Sequence, residues 1–393
     1  MNSQDVYIIG SKGVPARYGG FETFVDRLVT LSSGKITYYV SCLGEPEQDT
    51  YGFAKCFGVN VPNIGSAKAI LYDLIALNEA IKLAKANSSS YPIFYICACR
   101  IGPFITHFRK KIKRINGILI VNPDGHEWMR SKWNSAIKRY WKISEKLMVK
   151  NSDILACDSL EIERYIQDVY KKFSPCTTYI AYGGDNVISA TDDFAFKRWL
   201  DFQSLKPFDY YLVVGRLVPE NNFSTIIREF SQSHTKRKLV LVCDKKGKFW
   251  EIIKNEIPNS DDRIKFVGTI YDQNLLHFIR KNAYAYIHGH SVGGTNPSLL
   301  EALGSTDLNL LYDVPFNSEV ARESAFYWNL EKGSLGSLID SIDNLDTSYI
   351  QEKGNKAKSE IDTRYRWSMI VDKNERLFHS LVSNTKNQDE RNS

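Results

Sequence analysis

Short apolar runs alternate along the chain with longer amphipathic stretches. Val6–Ile9 and Ile36–Leu43 have the length and composition of buried strands, and Ala67–Lys85 has the spacing of an amphipathic helix. Strands that alternate with helices indicate parallel βαβ units, so the pattern predicts an α/β fold. The other predicted strands are Pro92–Cys99, Ile118–Val121, Ser152–Asp158, Thr178–Tyr182, Tyr210–Val214, Leu239–Cys243, Ile264–Val267, Ala283–Ile287 and Leu308–Tyr312.

The length of 393 residues favours two domains over one. The strand–helix pattern is interrupted in the polar segment 186–208, where we place the junction. The predicted parts are residues 1–190, residues 191–363, a helix over 364–382 and a polar, disordered tail over 383–393.

Composition excludes several classes of protein. Hydrophobic residues make up 43% of the chain, but no apolar run approaches the ~20 residues that span a bilayer. The N-terminus lacks the basic and apolar regions of a signal peptide, so we expect a cytoplasmic protein. The seven cysteines fit no zinc spacing, and we expect reduced core cysteines and no metal.

A strand, a glycine loop and a helix follow one another near residue 290. The loop Gly289–Asn296 comes after a predicted strand, and Pro297 stands where a helix takes its first turn. The backbone of Gly293 and Gly294 can approach a phosphate, and free helix N–H groups can bind it. Glu301 follows about one turn later, where its carboxylate can accept hydrogen bonds from hydroxyls. The combination suggests a nucleotide-diphosphate sugar as ligand.

The same device occurs near the N-terminus, where Gly19 and Gly20 precede a predicted helix. The loop has neither the dinucleotide fingerprint nor the ending of a phosphate-binding P-loop. Taken alone, the glycine pair is as typical of a plain tight turn. Two such loops, one in each half of the chain, favour phosphate binding.

A third loop, residues 122–133, collects charged side chains after the predicted strand Ile118–Val121: Asp124, His126, Glu127, Arg130 and Lys132. The alternative interpretation is a capped helix with a solvated charged face. We favour a functional site, because the carboxyl end of a parallel strand would face the cleft between the two domains.

Positive charge is concentrated in residues 100–150, which hold 13 lysines and arginines against three acidic residues. Anionic membrane surfaces attract such segments, and so does nucleic acid. A solvated helix face is the third possibility. With a nucleotide-sugar site alongside, we expect a lipid diphosphate and an anionic membrane as partners, not nucleic acid. The candidate contacts are Arg109, Lys110, Lys111, Lys113, Arg114 and Arg130.

Three sequence blocks carry a resemblance to a known family. The first contains Gly10, Gly13, Val14, Pro15, Tyr18 and Gly19–Thr23; the second contains Asp124, Gly125, Glu127, Trp128, Arg130, Lys132 and Trp133; the third is His288–Ala302. Together they resemble bacterial rhamnosyltransferases of polysaccharide assembly, which are similar to glycosyltransferase family 4 and have a DUF1972-type N-terminal domain.

The resemblance implies a GT-B fold, in which two Rossmann-like domains face a central cleft and a C-terminal helix returns to the first domain. The first domain would bind the acceptor and the second the donor. The implied reaction is retaining transfer of L-rhamnose from dTDP-rhamnose to a polyprenyl-diphosphate-linked sugar, without a metal or cofactor. The location implied is the inner face of the plasma membrane. Another donor, such as UDP-glucose or UDP-galactose, and a non-catalytic nucleotide-sugar-binding protein remain alternatives.

The resemblance also assigns donor contacts. Arg216 would bind the diphosphate, but the lysine that the family has five residues later is Asn221 here. Asn221 or Asn222 would replace it, or charge would come from Lys12 or Arg17. A surface ion pair with Glu220 is the alternative role for Arg216.

The third block supplies the remaining donor contacts. Glu301 would bind the ribose, and Gly293 stands where the family has its first Glu. Thr295, Asn296 and His290 would touch the diphosphate or the sugar.

For the acceptor, Asp124 would orient or deprotonate the hydroxyl, with Glu127 and Lys132 as partners. A carboxylate that acts as base must lie within hydrogen-bond reach of that hydroxyl.

Overall fold

The computed structural model describes residues 4–17, 19–185, 193–256 and 261–392. The chain forms two compact units: unit 1 comprises Met1–Tyr182 and Trp367–Ser393, and unit 2 comprises Gly183–Arg366. Tyr18 of the first sequence block and the expected boundary between residues 190 and 191 lie outside the described residues.

Unit 1 is built on an eight-stranded sheet. Its strands follow one another in the order β3-β4-β2-β1-β5-β6-β7-β8, and every pair is parallel except β3 with β4. The central strands are buried throughout, as expected of parallel strands covered on both faces. The strands are β1 Gln4–Ile9, β2 Ile36–Leu43, β3 Thr50–Tyr51, β4 Ala54–Val59, β5 Ile93–Cys97, β6 Ile118–Asn122, β7 Ile154–Cys157 and β8 Thr177–Tyr179.

Five helices connect these strands: α1 Gly20–Thr30, α2 Lys68–Ala86, α3 Gly102–Lys113, α4 Ser135–Asn151 and α5 Leu160–Val169. Helices α3 and α4 approach closely at Gly102, where a Cβ atom would lie 2.2 Å from the carbonyl oxygen of Ser144. The Gly102 amide donates to Ser144 Oγ at 2.8 Å. Only glycine permits this contact, which fixes the basic helix α4 against α3.

Unit 2 has a six-stranded, fully parallel sheet in the order β11-β10-β9-β12-β13-β14. Its strands are β9 Tyr210–Val214, β10 Lys238–Val242, β11 Ile264–Phe266, β12 Ala285–His288, β13 Asn309–Tyr312 and β14 Phe326–Trp328. Its helices are α6 Asp193–Gln203, α7 Phe223–Gln232, α8 Lys248–Glu256, α9 Gln273–Lys281, α10 Pro297–Leu303, α11 Pro315–Ala321, α12 Ser334–Ile342 and α13 Thr347–Arg364.

Both sheets have a topological switch point, where the strand order reverses direction. In unit 1 it lies between β1 and β5, and in unit 2 between β9 and β12. The loops that leave the carboxyl ends of such strands diverge, and ligands of open α/β sheets bind in the opening. The predicted α/β class with two Rossmann-like parts is confirmed.

The last helix, α14 Trp367–Asn392, belongs to unit 1. Glu375 Oε1 accepts hydrogen bonds from Ser32 Oγ at 2.7 Å and from the Ser33 amide at 3.0 Å. The ring of Phe378 packs edge-on against Tyr95, with centroids 6.2 Å apart. The helix continues through most of the segment from Ser383 that we expected to be disordered.

Two further expectations concern cysteines and membrane spans. Five cysteines are buried, Cys56 is half-buried, Cys176 is exposed, and all seven are free thiols. Among the residues that the structure describes, no helix combines the length and the apolar character needed to cross a bilayer.

Candidate functional site

Two loops meet at the switch point of unit 2. One follows β9 and comprises residues 215–222; the other follows β12 and comprises residues 289–296. Asn222 Nδ2 donates to the Gly289 carbonyl at 2.8 Å. The amide and hydroxyl of Ser291 both donate to the Glu220 carbonyl at 2.9 Å. The loops therefore form one fixed surface, which we call the switch-point platform.

Close backbone approach explains the glycine at the base of the second loop. A Cβ atom at Gly289 would lie 2.3 Å from the carbonyl oxygen of Asn221, so no larger residue fits there. On the neighbouring side, a Cβ atom at Gly215 would lie 3.3 Å from Cε1 of His290. The predicted ligand residue His290 is thus packed directly against the first loop.

Arg216 is exposed on the platform. It forms no ion pair with any residue that the structure describes, so the alternative pairing with Glu220 is not realised. Because its guanidinium has no internal partner among those residues, it can meet an anionic ligand.

The asparagines suggested in place of the family's lysine both contact backbone carbonyls. Asn221 is buried, and its Nδ2 donates to the Arg216 carbonyl at 2.8 Å. Asn222 Nδ2 donates to the Gly289 carbonyl. Each amide nitrogen carries a second hydrogen, so a role of either asparagine in phosphate binding stays a prediction. Of the cations suggested in unit 1, Arg17 is paired with Glu47, whereas Lys12 is exposed.

Glu301 on α10 is held by an arginine that sequence reasoning missed. Arg280 on α9 places Nη2 2.7 Å from Glu301 Oε2 and 3.3 Å from Ser298 Oγ. The arginine side chain is 3% exposed and the glutamate side chain 25% exposed. The ion pair therefore fixes the orientation of the carboxylate, and solvent and a ligand can still reach its exposed part.

A buried polar row continues from Ser298 towards the platform. Tyr286 Oη lies 3.2 Å from Ser298 Oγ and 3.2 Å from His288 Nδ1. The rings of His288 and His290 are stacked, with centroids 4.2 Å apart. Burial, reinforced by His290, holds the pKa of His288 well below its usual value. His288 is therefore neutral at physiological pH and supports His290 as a packing partner.

Gly293 and Asn296 suit their places in the second loop for different structural reasons. Gly293 has φ +147°, and a Cβ atom there would meet open space, so the backbone conformation rather than crowding favours glycine. Gly294 and Thr295 are buried. Asn296 caps α10, because its Oδ1 accepts the Ser298 amide at 2.9 Å. That oxygen is used by the helix, which limits Asn296 to its amide nitrogen as a ligand contact.

In unit 1, Asp124 follows β6 with φ +60° and is half-buried. Its amide donates to Asn122 Oδ1 at 2.9 Å, and its Oδ1 accepts the Gly125 amide at 2.8 Å. These contacts fix the carboxylate at the carboxyl end of the sheet, and its role towards the acceptor hydroxyl stays a prediction.

A buried ion pair lies at the switch point of unit 1. Arg100 Nη1 donates to Asp73 Oδ2 at 3.0 Å, to the Gly10 carbonyl at 3.0 Å and to the Cys97 carbonyl at 3.1 Å. Burial raises the pKa of Asp73 to about 6, although Arg100 opposes the rise. Neither residue was singled out from sequence, because Asp73 lies inside an amphipathic helix and Arg100 inside the basic segment.

Glu127 is held by contacts within its own loop. Its Oε2 pairs with Arg130, and its Oε1 accepts Lys132 Nζ at 2.9 Å and Trp133 Nε1 at 2.9 Å. Burial opposes ionisation, but Arg130 and Lys132 outweigh it and hold the pKa of Glu127 below its usual value. These contacts stabilise the loop that carries Asp124, and the role of Glu127 and Lys132 towards the acceptor stays a prediction.

The basic candidates separate into two groups. Arg109 forms a two-pronged pair with Asp153, and Arg130 pairs with Glu127, so these two charges are used inside unit 1. Lys111 Nζ donates to Asn78 Oδ1 at 3.2 Å. The three cations that remain exposed are Lys110, Lys113 and Arg114.

Gly19 and Gly20 lie at the start of α1 and are exposed. The Gly19 carbonyl accepts the Thr23 amide at 2.9 Å, the first hydrogen bond of the helix. The structure thus places both glycines at a helix N-terminus, and their role in donor binding stays a prediction.

Comparison with known proteins extends these observations. Residues 3–185 match the model of a family described as a domain of unknown function, DUF1972, which confirms the expected type of N-terminal domain. No curated protein matches the sequence.

Solved structures share the architecture over almost the whole chain. Sucrose-phosphate synthase from Thermosynechococcus elongatus superposes with a TM-score of 0.76 at 15% identity, covering 97% of this chain and 100% of that one. For α,α-trehalose 6-phosphate synthase from Burkholderia multivorans the TM-score is 0.77 at 10% identity, with 98% of each chain covered. Anabaena HepE in complex with UDP and glucose gives 0.70 at 13% identity, covering 96% and 100%. The chain therefore has the GT-B fold of these glycosyltransferases.

Proposed function

We propose that this protein is a retaining glycosyltransferase that moves L-rhamnose from dTDP-rhamnose to a lipid-diphosphate-linked sugar during assembly of a capsular or cell-wall polysaccharide. The general activity is supported by the fold, which is shared with sugar-phosphate synthases and with HepE, a protein solved with UDP-glucose. The choice of rhamnose rests on the three sequence blocks.

One observation carries the donor site: the switch-point platform presents Arg216, without an ion-pair partner among the described residues, beside the helix that holds Glu301. A leaving diphosphate needs fixed positive charge and hydrogen-bond donors, and Arg216 supplies such a charge without a metal. Glu301, held by Arg280, suits the hydroxyls of a ribose. Glu301 is oriented before the ligand arrives, and Arg216 is free to meet the diphosphate.

The proposed reaction breaks the bond between the anomeric carbon and the diphosphate oxygen and forms a bond from that carbon to the acceptor oxygen. The electron pair of the broken bond stays with the diphosphate. The acceptor proton passes to the departing phosphate on the same face of the sugar while Asp124 orients the hydroxyl. Alternatively, Asp124 itself accepts that proton.

The acceptor is proposed from the charge of unit 1. Lys110, Lys113 and Arg114 remain exposed near the end of α3. Each cation close to an anionic membrane contributes about 1 kcal/mol to association. We therefore place the protein in the cytoplasm, peripheral at the inner face of the plasma membrane, where a polyprenyl diphosphate acceptor is available.

The test is a donor screen with a synthetic lipid-diphosphate sugar, in which nucleotide release and the product linkage are measured. We expect turnover with dTDP-rhamnose. Asp124→Asn should abolish transfer and leave the dissociation constant for dTDP unchanged, whereas Arg216→Ala should weaken dTDP binding. Near-normal turnover of Asp124→Asn would contradict the role of that carboxylate.

Two other outcomes of the screen have specific support. Gly293 in place of the family's first Glu fits a deoxy-sugar donor, so preference for UDP-glucose or UDP-galactose would contradict that interpretation and reassign the donor. The absence of a lysine at position 221 favours a non-catalytic nucleotide-sugar-binding protein, which would bind donors without releasing nucleotide with any of them.

A further inference from the structure

An apolar groove of about 300 Å³ opens on unit 1 between the start of α2 and the first turns of α4. Ile137, Tyr140 and Trp141 line one wall on a single face of α4, and Ile70 of α2 lies opposite. Trp133, just before α4, closes one end, with its ring centroid 6.1 Å from that of Trp141. This groove is separate from the switch points of the two sheets.

The groove arises because α4 is buried over only half of its length. The buried residues of the helix begin at Ser144 and continue to Val149. Before Ser144, the helix carries large apolar side chains that remain partly exposed. A helix face that is apolar but not packed against the core indicates a surface made for a ligand.

The groove is connected to the acceptor residues of unit 1. Trp133 donates its Nε1 hydrogen to Glu127, in the loop that fixes Asp124. Tyr140 donates its hydroxyl hydrogen to the Arg100 carbonyl at 2.8 Å, just after β5. Two lining residues are therefore hydrogen-bonded to the strand-end loops that carry Asp124 and Arg100.

Cations stand at the rim of the groove. Lys132 Nζ lies 4.5 Å from the centroid of the Trp133 ring, and Lys68 begins α2. Aromatic side chains beside lysine suit a ligand with a hydrocarbon part and an anionic head, because each part meets its complement.

We propose that this groove binds the hydrocarbon chain of a polyprenyl diphosphate, starting at the units next to the diphosphate. The inference rests on the lipid-linked acceptor of the proposed function and adds that the enzyme itself recognises the chain. The volume is at the lower end of small-molecule pockets. It suits a few isoprene units.

Farnesyl diphosphate is a suitable probe, compared by calorimetry with inorganic pyrophosphate and with farnesol. We expect farnesyl diphosphate to bind at least tenfold more tightly than pyrophosphate, because two or more buried methylene-sized groups account for about that ratio. Equal affinities for the two diphosphates would overturn the proposal.

Two isoleucines of α4 provide a matched pair of variants. Ile137→Glu places a carboxylate in the groove, and Ile143→Glu places the same charge on the same helix at a residue that is 45% exposed and outside the groove lining. Ile137→Glu should weaken farnesyl diphosphate binding about tenfold and Ile143→Glu should not. Equal losses would assign the effect to helix charge and refute the groove.

Ala136→Trp tests the groove even if Ile137→Glu fails to fold. Ala136 is exposed, and a larger side chain there fills the groove from outside. It should also weaken binding, and unchanged affinity with an unchanged melting temperature would contradict the proposal. Vesicles of neutral lipid that bind the protein when farnesyl diphosphate does not would reassign the groove to membrane docking. None of these measurements needs turnover, so loss of the proposed transferase activity would leave this result interpretable on its own.

Discussion

Replacing Arg280 with methionine removes the guanidinium that holds Glu301 and leaves a side chain of similar length. Removing one member of a fully buried ion pair costs about 3–5 kcal/mol, because the other charge is stranded. Glu301 keeps a quarter of its side chain exposed, so water solvates part of the stranded charge. We therefore expect the free energy of unfolding to fall by about 1.5–3 kcal/mol, the range of a hydrogen bond to a charged group.

The functional consequence is a Glu301 carboxylate without a fixed orientation. If that carboxylate binds the ribose, Arg280→Met should raise the dissociation constant of dTDP or UDP roughly tenfold, which corresponds to about 1.4 kcal/mol. Calorimetric titration at constant salt measures this directly. Arg280→Lys keeps a positive charge near Glu301 and should restore part of the affinity.

The double variant tests whether Arg280 acts through Glu301. Glu301→Ala alone should weaken nucleotide binding, and Arg280→Met added to it should cause no further loss, because contacting residues are not additive. Arg228→Met on α7 is the surface control, since Arg228 is half exposed and approaches Glu229 only at 3.7 Å. Wild-type affinity in Arg280→Met, or fully additive losses in the double variant, would refute the positioning role.

Two more predictions concern pH and membrane binding. Burial, with Arg280 and Lys281 nearby, lowers the pKa of His277 to about 4. The unfolded chain therefore binds a proton that the folded chain does not, and stability present above pH 6.5 is lost as the pH falls towards 4. Urea unfolding across that window should show a shallower loss in His277→Gln, and an unchanged slope would contradict the assignment. Arg109→Met should lower the free energy of unfolding by about 1–3 kcal/mol because Asp153 loses its partner, whereas Lys110→Met should lower binding to anionic vesicles and leave stability unchanged; the opposite result would reverse the two roles.

The central strands were predictable because each is a continuous apolar run. Tyr210–Val214 begins and ends where the sequence predicted, since a parallel strand between two neighbours must be apolar on both faces. Among the described strands near the sheet edges, β3, β4 and β14 were missed, whereas β8 and β11 were predicted. Ala54–Val59 exposes Lys55 and Gly58, so its pattern is that of a loop.

Helix α3 was hidden by its charge. It lies in the basic stretch of residues 100–150, but Ile105, Phe108 and Ile112 point into the core at helical spacing. The cations occupy the remaining faces of the helix. Arg109 forms an ion pair with Asp153, which lies in a distant part of the chain. Such long-range pairing decides which cations reach solvent, and local sequence contains no signal for it.

The positions of Arg216 and Glu301 were predictable from motifs, but their surroundings were not. Arg280 lies in the last turn of α9, where a cation is also typical of an exposed helix end. Asn221 and Asn222 have the chemistry of phosphate ligands, yet each amide nitrogen already donates a hydrogen bond to a backbone carbonyl. Sequence identifies which groups can bind, and only the fold shows which of them are already used.

The membership of α14 in unit 1 determines the order in which the chain can be completed. Unit 2 is formed by one continuous segment, Gly183–Arg366, so all of its residues are synthesised consecutively. Unit 1 is formed by two separate segments. The hydrogen bond from Ser32 to Glu375 can form only after more than three hundred intervening residues have been synthesised. Domains generally fold as they emerge, the N-terminal one first. Here the first sheet to emerge obtains α14 as a packing partner only after unit 2 has been synthesised.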